Sequence, residues 1–137
     1  MLAIVAPGQG AQKPGMLAPW LELDGVDALL AELSQSTELN LTQLGTEADA
    51  EAIKDTAVTQ PLVVATALVA ATQLEIPASA VAAGHSVGEL TAAAIAGVLD
   101  AATATALAAR RGRAMAAACV LSPSSMAACM NPDTDRV

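Results

Sequence analysis

The chain of 137 residues is long enough for one domain with a modest core and too short for two ordinary domains. Hydrophobic residues make up 54% of it and aromatic residues only 1%, so the core must be built from Ala, Leu, Val and Ile. The net charge of −8 argues against binding of nucleic acid, or of an anionic membrane surface, through bulk electrostatics.

The cysteines and the N-terminal residues narrow the class of protein further. Cys119 and Cys129 are too few and too isolated for a disulfide framework or a metal site, and we expect both to be small buried side chains. Residues 1–6 carry no basic stretch and are too short to span a bilayer. We therefore expect a soluble, cytoplasmic protein without a metal.

Two short apolar runs predict parallel strands. Residues 2–6 form one run, which stops at Pro7, and residues 80–83 form the other. We expect the two strands to be neighbours in one sheet. The Gly-Gln-Gly loop, defined here as residues 7–12 (Pro-Gly-Gln-Gly-Ala-Gln), follows the first strand. Its glycines allow a tight turn with exposed amides at the sheet edge where α/β proteins contact ligands, although such a loop taken alone is more often a simple turn.

The stretch between residues 16 and 54 predicts helical connectors with no chemical role. Pro19 is predicted to open a helix, and an amphipathic helix is predicted over residues 26–33. Thr46 is predicted to cap a short exposed helix over residues 47–54.

Residues 62–74 are apolar nearly all round, which predicts a buried helix. We expect Pro61 to lie in its first turn, where a missing N–H costs nothing. Gln60 then stands at the N-terminal end of this helix. Its amide either caps and packs there or faces a pocket, and the pattern does not favour one interpretation.

The serine turn, defined here as residues 84–88 (Gly-His-Ser-Val-Gly), lies between the second strand and an alanine-rich helix predicted from Glu89 to Ala96. A serine between two glycines in a strand-to-helix turn is the layout of a nucleophile elbow. The glycines remove side chains that would collide, and the helix N-terminus favours an oxyanion beside Ser86. A chance occurrence in a chain rich in small residues is the alternative.

A further helix is predicted from Asp100, which caps it, to about Ala118. Its three arginines at positions 110, 111 and 113 are predicted to lie near the helix end and to complement the helix dipole. A solvated helix end is the preferred interpretation for Arg110 and Arg113. Beyond this helix, residues 125–130 predict the start of another strand.

A serine nucleophile needs a base to accept its proton. The one histidine of the sequence, His85, immediately precedes Ser86, and adjacent residues on a turn project in different directions. His85 is therefore poorly placed as the base. Because a positioned base contributes about 10²–10⁴-fold to the rate, we expect Ser86 to react slowly at best without one.

Four motifs are weak to moderate signals individually, but their order and spacing together are specific. They are the Gly-Gln-Gly loop, Thr59-Gln60-Pro61, the serine turn with Glu89, and Arg111-Gly112. Together they closely resemble the malonyl-CoA:acyl-carrier-protein transacylases of bacterial fatty-acid synthesis, an acyltransferase family that includes domains of polyketide synthases. The resemblance covers nearly the whole chain but only roughly the first half of the family's length.

The resemblance implies transfer of malonyl from malonyl-CoA to the phosphopantetheine thiol of acyl carrier protein, through a malonyl ester of Ser86. It implies that the backbone amides of Gln9 and Val87 form the oxyanion hole, where one donor is worth about 10²–10³ in rate. The implied partners are malonyl-CoA, as substrate, and acyl carrier protein. No cofactor is implied.

The same resemblance assigns the acyl pocket. Arg111 would pair with the free carboxylate of the malonyl group, which suits a planar guanidinium. His85 and Gln60 would line the pocket. The choice of Arg111 among three arginines comes from the resemblance, since the residues alone leave it open.

We expect an α/β fold with a parallel, hydrolase-like sheet, a nucleophile elbow and helices on both faces. Residues 1–122 are expected to form the amino-terminal part of the hydrolase-like subdomain, and residues 123–137 the start of a ferredoxin-like subdomain. The family's catalytic histidine would lie beyond Val137, so we expect the chain alone to be inactive. The alternatives are a non-catalytic remnant that binds acyl carrier protein or coenzyme A, and an α/β-hydrolase esterase fragment.

Overall fold

The computed structural model of the chain describes residues 1–121 and shows an α/β arrangement of two strands and five helices. Two 3₁₀ turns, at Ala18–Trp20 and Ala52–Lys54, lie in the connections before the first and the third helix. The strands and helices in chain order are β1 (Ala3–Ala6), α1 (Val26–Thr37), α2 (Leu41–Thr46), α3 (Thr56–Thr72), β2 (Val81–Gly84), α4 (Gly88–Ile95) and α5 (Ala101–Leu121). The strand predicted over residues 125–130, the expected start of a subdomain at 123–137, and Cys129 lie outside the described residues.

The two strands pair in parallel as predicted, with Ala3 opposite Val81 and Ala6 opposite Gly84. Side chains alternate between the two faces of the sheet. On one face Ala6 is buried and α4 contacts both strands, whereas on the other face Val5 and Val81 are exposed. Within residues 1–121 helices therefore cover one face of the sheet, where we expected both to be covered.

Helix α3 is the centre of the molecule. Its side chains enter three hydrophobic clusters, in which Leu62, Val64 and Ala65 each pack against a different set of neighbours. The predicted burial of this helix is confirmed. Its predicted start is wrong: the Asp55 carboxylate accepts a hydrogen bond from the Ala57 amide at 2.9 Å and caps the helix, so that Pro61 lies inside it.

Helix α5 packs along α3 at a glycine. A side-chain carbon at Gly112 would lie 2.5 Å from the carbonyl oxygen of Thr56 and 3.0 Å from Cα of Ala57. The Asp100 carboxylate caps α5 as predicted, since the Thr103 amide donates to it at 2.6 Å.

Two predictions for α5 are wrong. The helix continues to Leu121, so its three arginines, at positions 110, 111 and 113, lie in its middle and do not complement its C-terminal dipole. Within residues 1–121 Cys119 is exposed near the end of this long helix, although we expected a buried side chain.

The connector after α1 also differs from its prediction. Asn40 caps α2 by accepting from the Gln43 amide at 3.1 Å, and this helix continues through Thr46. Thr46 is therefore not an N-cap: its hydroxyl donates to the Thr42 carbonyl oxygen at 2.8 Å. The helix expected over residues 47–54 is reduced to the 3₁₀ turn Ala52–Lys54, which buries Ile53. None of the described helices is long and apolar enough to cross a membrane.

The contact at Gly112 predicts a large loss of stability when this residue is enlarged. We expect Gly112→Val to lower the free energy of unfolding by about 2–3 kcal/mol, because the added carbons overlap the α3 backbone. The control, Ala117→Val, changes an exposed position of the same helix and should cost only about 0.5 kcal/mol in helix propensity. Urea denaturation measures both, and equal losses would contradict the predicted contact.

The Asp100 cap predicts a pH dependence of stability. The backbone amide of Thr103 and then its hydroxyl donate to the carboxylate, which lowers the pKa of Asp100 below 3.8. The cap therefore contributes fully above about pH 4 and loses its contribution as the pH falls through the folded-state pKa. We expect the difference in urea midpoint between wild type and Asp100→Asn to be constant at higher pH and to shrink in this acid range. A difference that stays constant down to about pH 2 would disprove this linkage.

Candidate active site

Ser86 occupies a strained position in the serine turn. It has φ = 56°, in the left-handed region, directly between the end of β2 and the start of α4. For a residue with a side chain this conformation costs about 1–2 kcal/mol. The turn places the exposed Ser86 side chain at the carboxyl end of the sheet, beside the N-terminus of α4.

Both glycines of the serine turn stand where no side chain fits. A side-chain carbon at Gly84 would overlap the backbone of Gly88 and Glu89. A side-chain carbon at Gly88 would lie 2.5 Å from the carbonyl oxygens of Ala6 and Pro7. The turn can therefore close on itself, and on the end of β1, only because these two positions are glycine.

The Gly-Gln-Gly loop lies directly against the serine turn. A side-chain carbon at Gly8 would be 2.7 Å from both Nδ1 and the carbonyl oxygen of His85. The His85 amide also donates to the Ala6 carbonyl oxygen at 3.1 Å. Among the described residues no hydrogen bond joins the His85 ring to Ser86, and His85 is exposed. The parallel pairing of β1 and β2 thus brings two separate motifs of the sequence together.

Arg111 is the charged group of this site. From α5, its Nη2 donates to Oγ of Ser86 at 3.2 Å, and its Nη1 donates to Oε1 of Gln60 at 2.7 Å. The structure separates it from its neighbours in sequence, because Arg113 donates to the Thr37 carbonyl oxygen at 3.4 Å instead. Arg110 is exposed.

A chain of side-chain amides continues from Arg111 into the molecule, and we name it the amide relay. Nε2 of Gln60 lies 3.5 Å from Oε1 of Gln9, and Nε2 of Gln9 donates to Oγ1 of Thr56 at 3.1 Å. Nε2 of Gln60 also contacts Sδ of Met115 at 3.2 Å. The relay comprises Thr56, Gln9, Gln60, Met115 and Arg111.

Thr56 and Met115 were not predicted as site residues, although helix periodicity contained a signal for both. Thr56 precedes Gln60 by four residues on α3, and Met115 follows Arg111 by four residues on α5. Residues four apart share one helix face. Each missed residue is thus the same-face neighbour of a residue that had been singled out.

The backbone amides of Gln9 and Val87 have no hydrogen-bond acceptor within residues 1–121. Within the serine turn, Gly88 donates to the His85 carbonyl oxygen and Glu89 to that of Ser86. In the same range, no group of three or more His, Cys, Asp and Glu side chains is arranged to hold a metal ion.

Residues 4–136 match the acyl transferase domain family. The chain belongs to this family. It is 48% identical over 142 residues to the malonyl CoA-acyl carrier protein transacylase of Mycobacterium tuberculosis, with all of this chain and 47% of that protein covered. It is 53% identical to the protein of the same name from Mycolicibacterium smegmatis, with 89% of this chain and 43% of that protein covered.

Solved structures show the same similarity. The crystal structure of MCAT from Mycobacterium tuberculosis superposes with a TM-score of 0.83 and 49% identity, over 90% of this chain and 42% of that one. A malonyl-transacylase solved in complex with its type II PKS acyl-carrier protein gives a TM-score of 0.74 and 33% identity, over 85% of this chain and 39% of that one. The chain spans about half the length of the curated relatives it matches.

The strain at Ser86 predicts that glycine is more stable than alanine at this position. Ser86→Gly and Ser86→Ala both remove the hydroxyl and its contact with Arg111, and they differ only in one carbon. We expect the glycine variant to be more stable than the alanine variant by about 1 kcal/mol, since only glycine adopts a positive φ without cost. Urea denaturation of the pair measures this, and an alanine variant of equal or greater stability would show that the turn is unstrained.

Proposed function

We propose that the chain forms the nucleophile-bearing part of a malonyl-CoA:acyl-carrier-protein transacylase. In this proposal Ser86 takes malonyl from malonyl-CoA and passes it to the phosphopantetheine thiol of acyl carrier protein. The observation that carries it is the 3.2 Å contact between Nη2 of Arg111 and Oγ of Ser86, which puts a fixed cation beside a strained, exposed hydroxyl. Family membership and the names of the relatives support the choice of reaction.

The serine turn supports the acylation step. We propose that it is a nucleophile elbow in a hydrolase-like sheet, whose Ser86 oxygen attacks the thioester carbonyl and releases the thiol of coenzyme A. The amides of Gln9 and Val87, both free of intramolecular acceptors in the described residues, would donate to the oxyanion. The positive end of α4 adds to this stabilisation.

Arg111 supports a substrate that carries a carboxylate. In a malonyl ester of Ser86, the free carboxylate is separated from the ester carbonyl by a single methylene group. A guanidinium that already touches the serine oxygen is therefore within reach of that carboxylate, and its planar fork suits a bidentate contact. A simple esterase acting on neutral substrates would have no use for this cation, so the arrangement favours malonyl transfer over ester hydrolysis.

The remaining parts of the proposal concern the whole protein. Acyl carrier protein is proposed as the acceptor, as in the transacylase solved with its carrier protein. A cytoplasmic location and a ferredoxin-like subdomain starting at residue 123 belong to the same proposal.

Within residues 1–121, Arg111 is the side chain that contacts the Ser86 hydroxyl, and it cannot accept a proton. We therefore expect acylation of the chain alone to be slow and incomplete.

Mass spectrometry of the intact protein tests this proposal. After incubation with malonyl-CoA, we expect a malonyl adduct on wild type and none on Ser86→Ala. Arg111→Ala should lower the rate of malonylation by about 10–100-fold, the value of a charge-assisted hydrogen bond, and should leave acetylation by acetyl-CoA unchanged.

The matched control for this experiment is Arg110→Ala, which removes an exposed arginine from the preceding position of α5. It should leave malonylation unchanged. If a folded wild type acquires no adduct, the proposed transfer is wrong and the alternative is favoured, a non-catalytic remnant that binds coenzyme A or acyl carrier protein. An adduct that persists on Ser86→Ala would assign the nucleophile to another residue.

A further inference from the structure

Gln60 carries a fully buried carboxamide at the base of the candidate site. Its exposed fraction is 0%, although it carries a large polar side chain on a helix whose buried residues are mostly apolar. A buried amide is costly unless its oxygen and nitrogen both have partners. Gln60 finds them in Arg111, Gln9 and Met115.

The orientation of this carboxamide follows from the chemistry of its partners. A guanidinium has donors and no acceptor, so the Gln60 atom 2.7 Å from Nη1 of Arg111 is the oxygen. Nε2 must then face the opposite side, where Oε1 of Gln9 and Sδ of Met115 both accept. A rotated amide would set its nitrogen against the guanidinium and its oxygen against two acceptors.

Gln9 is oriented in the same way. Its Oε1 faces Gln60, so its Nε2 is directed at Oγ1 of Thr56, to which it donates at 3.1 Å. The amide relay is thus anchored on Thr56, the first residue of α3. Along the relay each amide oxygen faces the Arg111 side and each amide nitrogen faces the Thr56 side.

We infer that Gln60 is a positioning residue for Arg111. Its Oε1 holds Nη1, so that Nη2 remains beside Oγ of Ser86, and the fixed fork selects an acyl group that carries a carboxylate. The selection of the acyl group rests on the function proposed above. The role differs from lining the pocket, because Gln60 acts through the guanidinium and does not touch the acyl group itself.

The chemical identity of Gln60 matters for this role. A neutral amide accepts from the guanidinium and leaves its positive charge for the ligand. A glutamate at this position would hold Arg111 equally well but would neutralise it with a buried carboxylate. A leucine would fill similar volume and leave the exposed Arg111 side chain free to move among its rotamers. The two variants therefore separate two effects. Gln60→Glu keeps the hold on the guanidinium but neutralises its charge, whereas Gln60→Leu keeps the charge but loses the hold.

The first experiment measures the hold on Arg111 without requiring any reaction. Nitrogen-15 NMR gives the rate of rotation of the guanidinium NH₂ groups, and Arg111→Lys identifies the Arg111 signals. We expect rotation in Gln60→Leu to be at least about 10-fold faster than in wild type, since the short bond to Nη1 is lost. Rotation should remain slow in Gln60→Glu, which keeps an acceptor for Nη1. This second variant keeps the inference testable if the leucine variant does not fold.

Met115→Leu is the matched control for packing. It removes the sulfur that contacts Nε2 of Gln60 and keeps an apolar side chain of similar volume. We expect its effect on Arg111 rotation to be smaller than that of Gln60→Leu. Equal rotation rates in wild type and a folded Gln60→Leu would overturn the inference.

The second experiment measures the preference for a carboxylate-bearing acyl group. The ratio of malonylation to acetylation of Ser86 should fall at least about 10-fold in both Gln60→Leu and Gln60→Glu, through loss of position in the first and loss of charge in the second. A general disturbance of packing would slow both acylations and leave the ratio unchanged, and such a result would overturn the selective role. If wild type accepts neither group, the proposed function fails, while the rotation rates still decide whether Gln60 positions Arg111.

Discussion

The burial of α3 on all sides is the constraint on which the rest of the structure depends. A helix whose side chains enter three separate clusters cannot rotate or shift without opening all of them, because interiors are close-packed. Its N-terminal turns therefore form a rigid base for Thr56 and Gln60. The missing side chain at Gly112 lets α5 approach this base and bring Arg111 to it.

The second constraint is the close contact between the ends of the two strands. Glycines at positions 8, 84 and 88 let the backbone of the serine turn pack against the carbonyl groups that end β1 and against the Gly-Gln-Gly loop. This packing holds Ser86 at a positive φ, which an isolated turn would relax. The strained conformation of Ser86 is therefore held by close backbone packing around the serine turn.

The electrostatics of the site are local. The chain has a net charge of −8, yet the group beside Ser86 is a guanidinium held by a neutral amide. No carboxylate within residues 1–121 pairs with Arg111, so its charge is not neutralised by the described residues. A buried neutral amide holds a cation in place without the desolvation cost of a second buried charge.

The sequence by itself determined the two parallel strands, the buried helix, the serine turn and the membership of an acyltransferase family, because these follow from local apolar patterns and from motifs with fixed spacing. It misplaced the start of α3 and the helix expected over residues 47–54, because Asp55 caps α3 six residues before Pro61 and Asn40 caps α2 six residues before Thr46. The residues alone left the choice among three arginines open, and Arg111 was chosen from the family resemblance. Only the tertiary structure revealed the contacts of the amide relay. Those contacts join residues that are about fifty positions apart, and local patterns carry no information about which distant side chains meet.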